Sequence, residues 1–251
     1  EGLRLLCERS SEFDFPFVVG LPIEIDGKIF NCAAVIAKGK LYGIAAKTFI
    51  PNYNEFYEKR HFKPSPEAVE RVRFYGKDLP FGNKIIYRSD VMENFTVAAE
   101  ICEDLWVATP PSVKNALHGA MINVNLSASD EIIGKAEYRR TLISAHSGAI
   151  VGAYVYADAG VGESTTDMVF AGHDLIYENG RRLAESELFE GGFITADVDV
   201  DYLAFERSKL YNYDYNLSEG FETVYFSYSP EIKNFERVYA KTPFVPRSGA
   251  E

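Results

Sequence analysis

The sequence predicts a mixed α/β domain, and three observations carry that expectation. Near the N-terminus, apolar and β-branched stretches are separated by Asp26-Gly27 and Lys38-Gly39, both of which read as tight turns between strands. In the middle of the chain, apolar runs alternate with helical stretches in a strand, helix, strand, helix, strand series. Composition agrees: of 251 residues, 47% are hydrophobic and 14% aromatic, enough for one large folded domain with a substantial core.

Taken in order, the opening "EGLRLLCERS" reads as the interior of a helix, with Leu3, Leu5, Leu6 and Cys7 apolar, so the sequence is expected to begin inside a domain. Strands follow over Phe17–Ile25, Lys28–Ala37 and Lys40–Ala46, as antiparallel neighbours. The segment "NYNEFYEKRHFKPSPEAVERVRFYGKDLPFGNK" lacks a steady period and reads as a long structured loop, a kind of element that often carries function. A strand ending near Ile101 comes next, then a helix from Pro110-Pro111 to about Ala120. The first turn of a helix tolerates proline because its amide protons have no partner there in any case.

The series continues with the strand "MINVNLS", a helix from about Glu131 to Gly148 and the strand "AIVGAYVYADA". A hairpin turning at Glu178-Asn179-Gly180 follows, and "GFITADVDVDYLAFERSKL" reads as a strand running into a helix. The expected organisation is one domain over residues 1–246. Residues 247–251, in the Pro-, Ser- and Gly-containing end "KTPFVPRSGAE", read as a tail or the start of a linker.

Charge and composition exclude several function classes. Acidic residues outnumber basic ones 37 to 26, for a net charge of −11, which disfavours nucleic acid or an anionic membrane surface as partner. No apolar run approaches the roughly 18 to 20 residues of a membrane span. Cys7, Cys32 and Cys102 lie far apart, in neither a disulfide framework nor a CxxC pattern, so a reducing, cytoplasmic compartment is expected. His61, His118, His146 and His173 form no metal-ligand spacing and read as structural. The loop "ADAGVGESTTD" does not run from strand through a Gly-rich turn to a helix, and no GxxxxGK[ST] string is present, so no nucleotide site is expected.

Two residues raise a question of chemistry. Cys102, in "TVAAEICEDLWVATPPS", falls at a strand end before a turn and a helix, where a thiol can project and backbone amides can face an oxyanion. Position alone favours an inert buried cysteine, since free Cys is among the most buried residue types. Glu100, Glu103 and Asp104 argue against inertness, because acids beside a buried thiol need partners or roles. Lys47, in "AAKTFIPNY", is either a snorkelling surface lysine or a buried ammonium beside a thiolate.

Four strings in order narrow these alternatives. "AAKTFIPNYNEFYEKRHF", "AAEICEDLWVATPPS", "INVNLSASDEIIGKAEYRR" and "YVYADAGVGESTTDMVFAGHDLIYENG" together closely resemble the glutaminase domain of the glutamine-dependent NAD synthetases, in the nitrilase, or carbon-nitrogen hydrolase, superfamily. The resemblance spans nearly the whole chain, from "VVGLP" to "PFVP". It implies a four-layer αββα sandwich that hydrolyses the side-chain amide of L-glutamine through a Cys-Lys-Glu triad. Cys102 matches the nucleophile and Lys47 the triad lysine. Glu55 matches the superfamily's second glutamate, which orients the lysine. Tyr53, Ser129 and Lys135 match the residues that bind glutamine.

The resemblance also implies partners and an incomplete site. The general base would be a glutamate in an "FPE"-type segment ahead of Glu1, so the sequence is expected to lack it, together with the first strand and helix of the fold, and the fragment alone is expected to be inactive. No cofactor is expected in this domain. ATP, Mg and deamido-NAD belong to a C-terminal synthetase domain that would follow it and consume the ammonia, and a homo-oligomer is expected. A free-standing amidase acting on another small amide and a non-catalytic scaffold lacking its base stand as the alternatives.

Overall fold

The computed structural model describes residues 1–211, 213, 220–228, 237 and 239. The chain opens with α1 (Gly2–Arg9), as its apolar spacing anticipates, and continues into β1 (Phe17–Ile25), β2 (Lys28–Ala37) and β3 (Lys40–Ala46). These three strands have the expected bounds and the expected antiparallel pairing. Both turns carry positive φ at their two central residues, 50° and 72° at Asp26 and Gly27, 46° and 77° at Lys38 and Gly39. That backbone matches the natural twist of paired strands, which is why Gly recurs in the second position.

The segment expected to be a long loop contains a hairpin instead. β4 (Glu70–Phe74) and β5 (Lys77–Gly82) pair across Tyr75-Gly76, a turn of the same geometry with φ of 48° and 75°. β5 then joins β3 in parallel, giving a five-stranded sheet in the order β1-β2-β3-β5-β4. The turn was hidden because a large aromatic occupies the position where Asn or Asp is usual.

A second sheet is built from the rest. β6 (Ile85–Ser89), β7 (Thr96–Ile101), α2 (Pro111–Leu117), β8 (Ile122–Leu126), α3 (Lys135–Ala149), β9 (Ala153–Ala157), β10 (Leu175–Glu178), β11 (Arg181–Glu185), α4 (Val200–Ser208) and β12 (Glu222–Phe226) follow in order. Seven strands align as β11-β10-β9-β8-β7-β6-β12, with β7, β8 and β9 parallel through the expected crossover helices. α3 starts later than anticipated, after Gly134 at φ 86°. Residues 192–199 form no strand before α4, contrary to expectation, and β6 and β12 were not anticipated. The predicted boundary at residue 246 and the tail at 247–251 lie outside the described residues.

Apolar packing fixes four layers. α1 covers the outer face of the first sheet, where Leu3 joins Ile23, Phe30, Cys32, Ile44 and Phe81. α2 and α3 cover the outer face of the second through Ala116 and Ile143 against Tyr154, Tyr156 and Leu175. Between the sheets, Ala33 and Ala45 meet Ala99 and Ile101, and further along Val35 meets Tyr87, Val97 and Phe226. This is the helix-sheet-sheet-helix order that the sequence resemblance implies. Alanines on the facing surfaces let the sheets approach closely beside the end of β7, and that end carries Cys102.

Candidate active site

Lys47 directly follows β3 and Cys102 directly follows β7, so each sheet delivers one side chain to the same end of the sandwich. The Lys47 backbone is fixed on both sides: its amide donates to the Asn31 carbonyl at 2.9 Å, and its carbonyl accepts from Ser65 at 2.8 Å. Its side chain is 0% exposed. An ammonium so buried needs an anion, and Nζ donates to both carboxylate oxygens of Glu58, at 2.8 and 2.9 Å.

Cys102 sits at φ 47°, in the left-handed region that a non-glycine residue adopts at a cost of about 1 kcal/mol or more. Asn125 on β8 holds it there by straddling its backbone. The Asn125 Oδ1 accepts from the Cys102 amide at 3.0 Å, and Nδ2 donates to the Cys102 carbonyl at 3.4 Å and to the Tyr154 hydroxyl at 3.0 Å. Burial pushes the thiol's pKa up. The Lys47 ammonium, the Ser127 hydroxyl and the Ala128 amide pull against that rise, whereas Glu58 adds to it. A cavity of about 190 Å³ lies over these groups, lined by Lys47, Glu58, Cys102, Asn31, Ser127 and Gly20 among others.

A buried lysine and a buried cysteine at the strand ends of two facing sheets suit attack on a carbonyl, with the ammonium placed to meet the charge that develops on its oxygen. Comparison with known proteins agrees. The carbon-nitrogen hydrolase family matches residues 1–207. The chain belongs to that family.

Its relatives include the glutamine-dependent NAD(+) synthetase of Mycobacterium tuberculosis H37Rv, 40% identical over 98% of this chain and 38% of that protein. The Thermotoga maritima protein of the same name is 30% identical over 71% of the chain and 28% of its own length. The chain thus spans under two fifths of these relatives. Among solved structures, a glutamine-dependent NAD(+) synthetase from Cytophaga hutchinsonii superposes with a TM-score of 0.65 and 26% identity, covering 74% of this chain and 30% of that one. An amidase from a Nesterenkonia species shares the fold, with a TM-score of 0.58 and 19% identity over 82% of this chain and 71% of that one.

In this carbon-nitrogen hydrolase the three acids around Cys102 each have a partner. Glu100, wholly buried, accepts from the Ser112 amide at 2.8 Å in the first turn of α2 and from the Tyr154 hydroxyl. Burial raises its pKa. Glu103 accepts the Tyr53 hydroxyl at 2.8 Å on both oxygens. Asp104 accepts from the amides of Thr48 (3.0 Å), Phe49 (2.8 Å) and Ile101 (3.0 Å). Burial, with Glu100 nearby, pushes Asp104 up to about 7.

The predicted site residues divide. Lys47 and Cys102 come together as expected. Glu55 does not join them: it is half-buried, and the carboxylate on Lys47 belongs to Glu58. The local backbone explains the substitution of one acid for the other. Asn54 at φ 49° and a turn closed by the Phe56 amide on the Tyr53 carbonyl reverse the chain, and a short 3₁₀ helix over Glu58–Arg60 brings the later acid back to the lysine.

Tyr53, Ser129 and Lys135 lie outside the 190 Å³ cavity. Tyr53 is 49% exposed and lines an adjoining cavity of about 590 Å³ with Glu103, Thr48 and Lys63. The buried Ser129 donates its amide to Asp158 at 2.8 Å and accepts from Arg139 at 3.2 Å on its hydroxyl. The Lys135 ammonium rests on Asp130, 5.4 Å from the centre of the Trp106 ring. Glu58, Asp104, Asn125 and Ser127 were missed as site residues. Of these, Glu58 was accessible in principle, since a buried lysine demands a carboxylate and "NEFYEKR" offers two. Among the described residues no group of three or more His, Cys, Asp or Glu side chains is arranged to hold a metal ion, and no helix is long and apolar enough to cross a membrane.

Proposed function

We propose that this carbon-nitrogen hydrolase domain releases ammonia from L-glutamine as the glutaminase part of a glutamine-dependent NAD synthetase. The observation that carries the reading is the meeting of buried Lys47 with Cys102 in one small cavity, in a chain 40% identical to the first part of such a synthetase. The Cys102 thiolate adds to the carboxamide carbon, and the carbonyl electron pair moves onto oxygen. The Lys47 ammonium and the amide following the nucleophile stabilise that oxyanion. Collapse expels ammonia once the nitrogen is protonated and leaves a γ-glutamyl thioester, which water hydrolyses to glutamate and free thiol.

Proton transfer needs a further group. Among the described residues Glu58 is the only carboxylate lining the cavity, and both its oxygens receive Lys47. The general base in this reading is a glutamate outside the described residues, the one that the resemblance to the family implies. Tyr53, with Glu103 beside it, Ser129 and Lys135 serve as the substrate-binding rim in this reading. The ammonia goes to a C-terminal synthetase domain of the same polypeptide, where ATP, Mg and deamido-NAD bind, in a cytoplasmic homo-oligomer.

Replacing Cys102 with Ala in the polypeptide carrying both domains separates the two activities. Glutamine-dependent NAD formation falls at least about 10⁴-fold, and formation from added ammonia is retained. Loss of both, or retention of both, contradicts the assignment.

A further inference from the structure

Asp104 differs from the other two acids beside Cys102 in what it joins. Glu100 stays within its own half of the molecule, on Ser112 and Tyr154. Glu103 reaches the exposed rim at Tyr53. Asp104, two residues after the nucleophile, bonds the amides of Thr48 and Phe49, which follow Lys47 on the first sheet, and the amide of Ile101, which precedes Cys102 on the second. One carboxylate therefore grips both reacting residues by their immediate neighbours.

The need for such a grip follows from how the sheets meet. Beside the site they touch through Ala33, Ala45, Ala99 and Ile101, and apolar contact is non-directional, so it sets the spacing of the sheets more firmly than their register. Hydrogen bonds are directional and restrict sliding. A carboxylate is an expensive way to fill this position, at 1% exposure, unless its oxygens are satisfied, and three amides from two sheets satisfy them.

We infer that Asp104 is a positioning residue that holds the lysine turn of one sheet in register with the cysteine turn of the other, keeping the Lys47 ammonium against the Cys102 thiol. The inference rests on Lys47 and Cys102 being the reacting pair proposed above. The groups facing the thiol are Lys47, Glu58, the Ser127 hydroxyl and the Ala128 amide, with the Tyr53 and Tyr156 hydroxyls also close enough to feel its charge, and Lys47 is the one whose placement depends on the Asp104 bridge.

The test is the pH profile of Cys102 alkylation by iodoacetamide in the intact protein, read by mass spectrometry on the Cys102 peptide so that Cys7 and Cys32 do not contribute. Lys47→Met is the reference and moves the midpoint up by about 1 pH unit or more, the usual effect of losing a neighbouring opposite charge. Asp104→Ala moves it in the same direction, and Asp104→Asn, which keeps one acceptor oxygen, moves it less. Thr96→Val is the control. Thr96 lies at the far end of β7, where its hydroxyl donates to the Gly119 carbonyl at 2.7 Å and accepts from Met121 at 2.9 Å, so its loss lowers the melting temperature without moving the midpoint.

If both Asp104 variants keep the wild-type midpoint while Lys47→Met shifts it, the positioning role is wrong and the reacting pair stands. A Lys47→Met protein with an unshifted midpoint overturns the pair and the inference together. A shift in Thr96→Val equal to that in the Asp104 variants also overturns the inference, because lost stability would then account for it. Should Asp104→Ala fail to fold, Asp104→Asn decides by the same criteria.

Discussion

On the cavity floor, Lys47 and Cys102 are fixed by backbone at the ends of two strands, and their side chains line one cavity. At the rim, Tyr53, Ser129 and Lys135 each engage a protein partner, Glu103, Arg139 and Asp130 in turn. The floor is thus set by the fold before any substrate arrives, whereas the rim residues, if they bind substrate as proposed, would have to exchange these partners to do so. Substitutions on the floor should change the rate of the chemical step, and those on the rim should change substrate affinity.

The largest effect that sharpens this contrast belongs to Lys47→Met, measured as glutamine-dependent ammonia release by the protein carrying this domain. Loss of a buried oxyanion donor lowers kcat by about 10² to 10³-fold, with little change in KM. A variant that raised KM alone would move Lys47 from floor to rim.

Glu58 and Glu55 give the next largest effect and the sharpest pairwise test. Removing the carboxylate from a buried ammonium leaves an uncompensated charge, so Glu58→Ala destabilises the fold by about 3 kcal/mol in denaturant unfolding. Glu55→Ala, with no hydrogen bond or ion pair among the described residues, stays within about 0.5 kcal/mol of wild type. Equal losses, or the reverse order, would contradict the placement of Glu58 on Lys47.

The smallest effect is expected at the rim. Tyr53→Phe removes one hydroxyl that bonds Glu103 in the free protein, and it raises KM for glutamine by about 5-fold with kcat retained. A fall in kcat with unchanged KM would place Tyr53 among the floor residues instead.

Particular residues show why some of this was legible in the sequence. Asp26-Gly27, Lys38-Gly39 and Asn179-Gly180 mark hairpins with local turn chemistry, so the adjoining strands could be bounded closely. Tyr75-Gly76 makes the same turn without the usual first residue, and β4 and β5 were lost inside an apparent loop. Cys102 and Lys47 stood out through their position at strand ends and through long strings shared with a known family.

Glu58 was harder. It sits eleven residues after Lys47 in a stretch without periodicity, and only the reversal at Asn54 and the following 3₁₀ helix select it over Glu55. Asn125 gave no signal, and Asp104 stood out only as an acid in need of a partner, for a different reason. Their roles are hydrogen bonds to backbone amides far away in sequence, and neither spacing nor composition records which amides those are.

The central claim is that Cys102 attacks the amide carbon of glutamine in the cavity it shares with Lys47. Incubation with a diazo-ketone analogue of glutamine, followed by peptide mass mapping, tests it directly, since protonation of the diazo carbon and displacement of dinitrogen by the thiolate leave a stable thioether. The account predicts one adduct, on Cys102, suppressed by excess L-glutamine. An unlabelled Cys102 in the folded protein, or labelling of Cys7 that glutamine leaves unchanged, would contradict it.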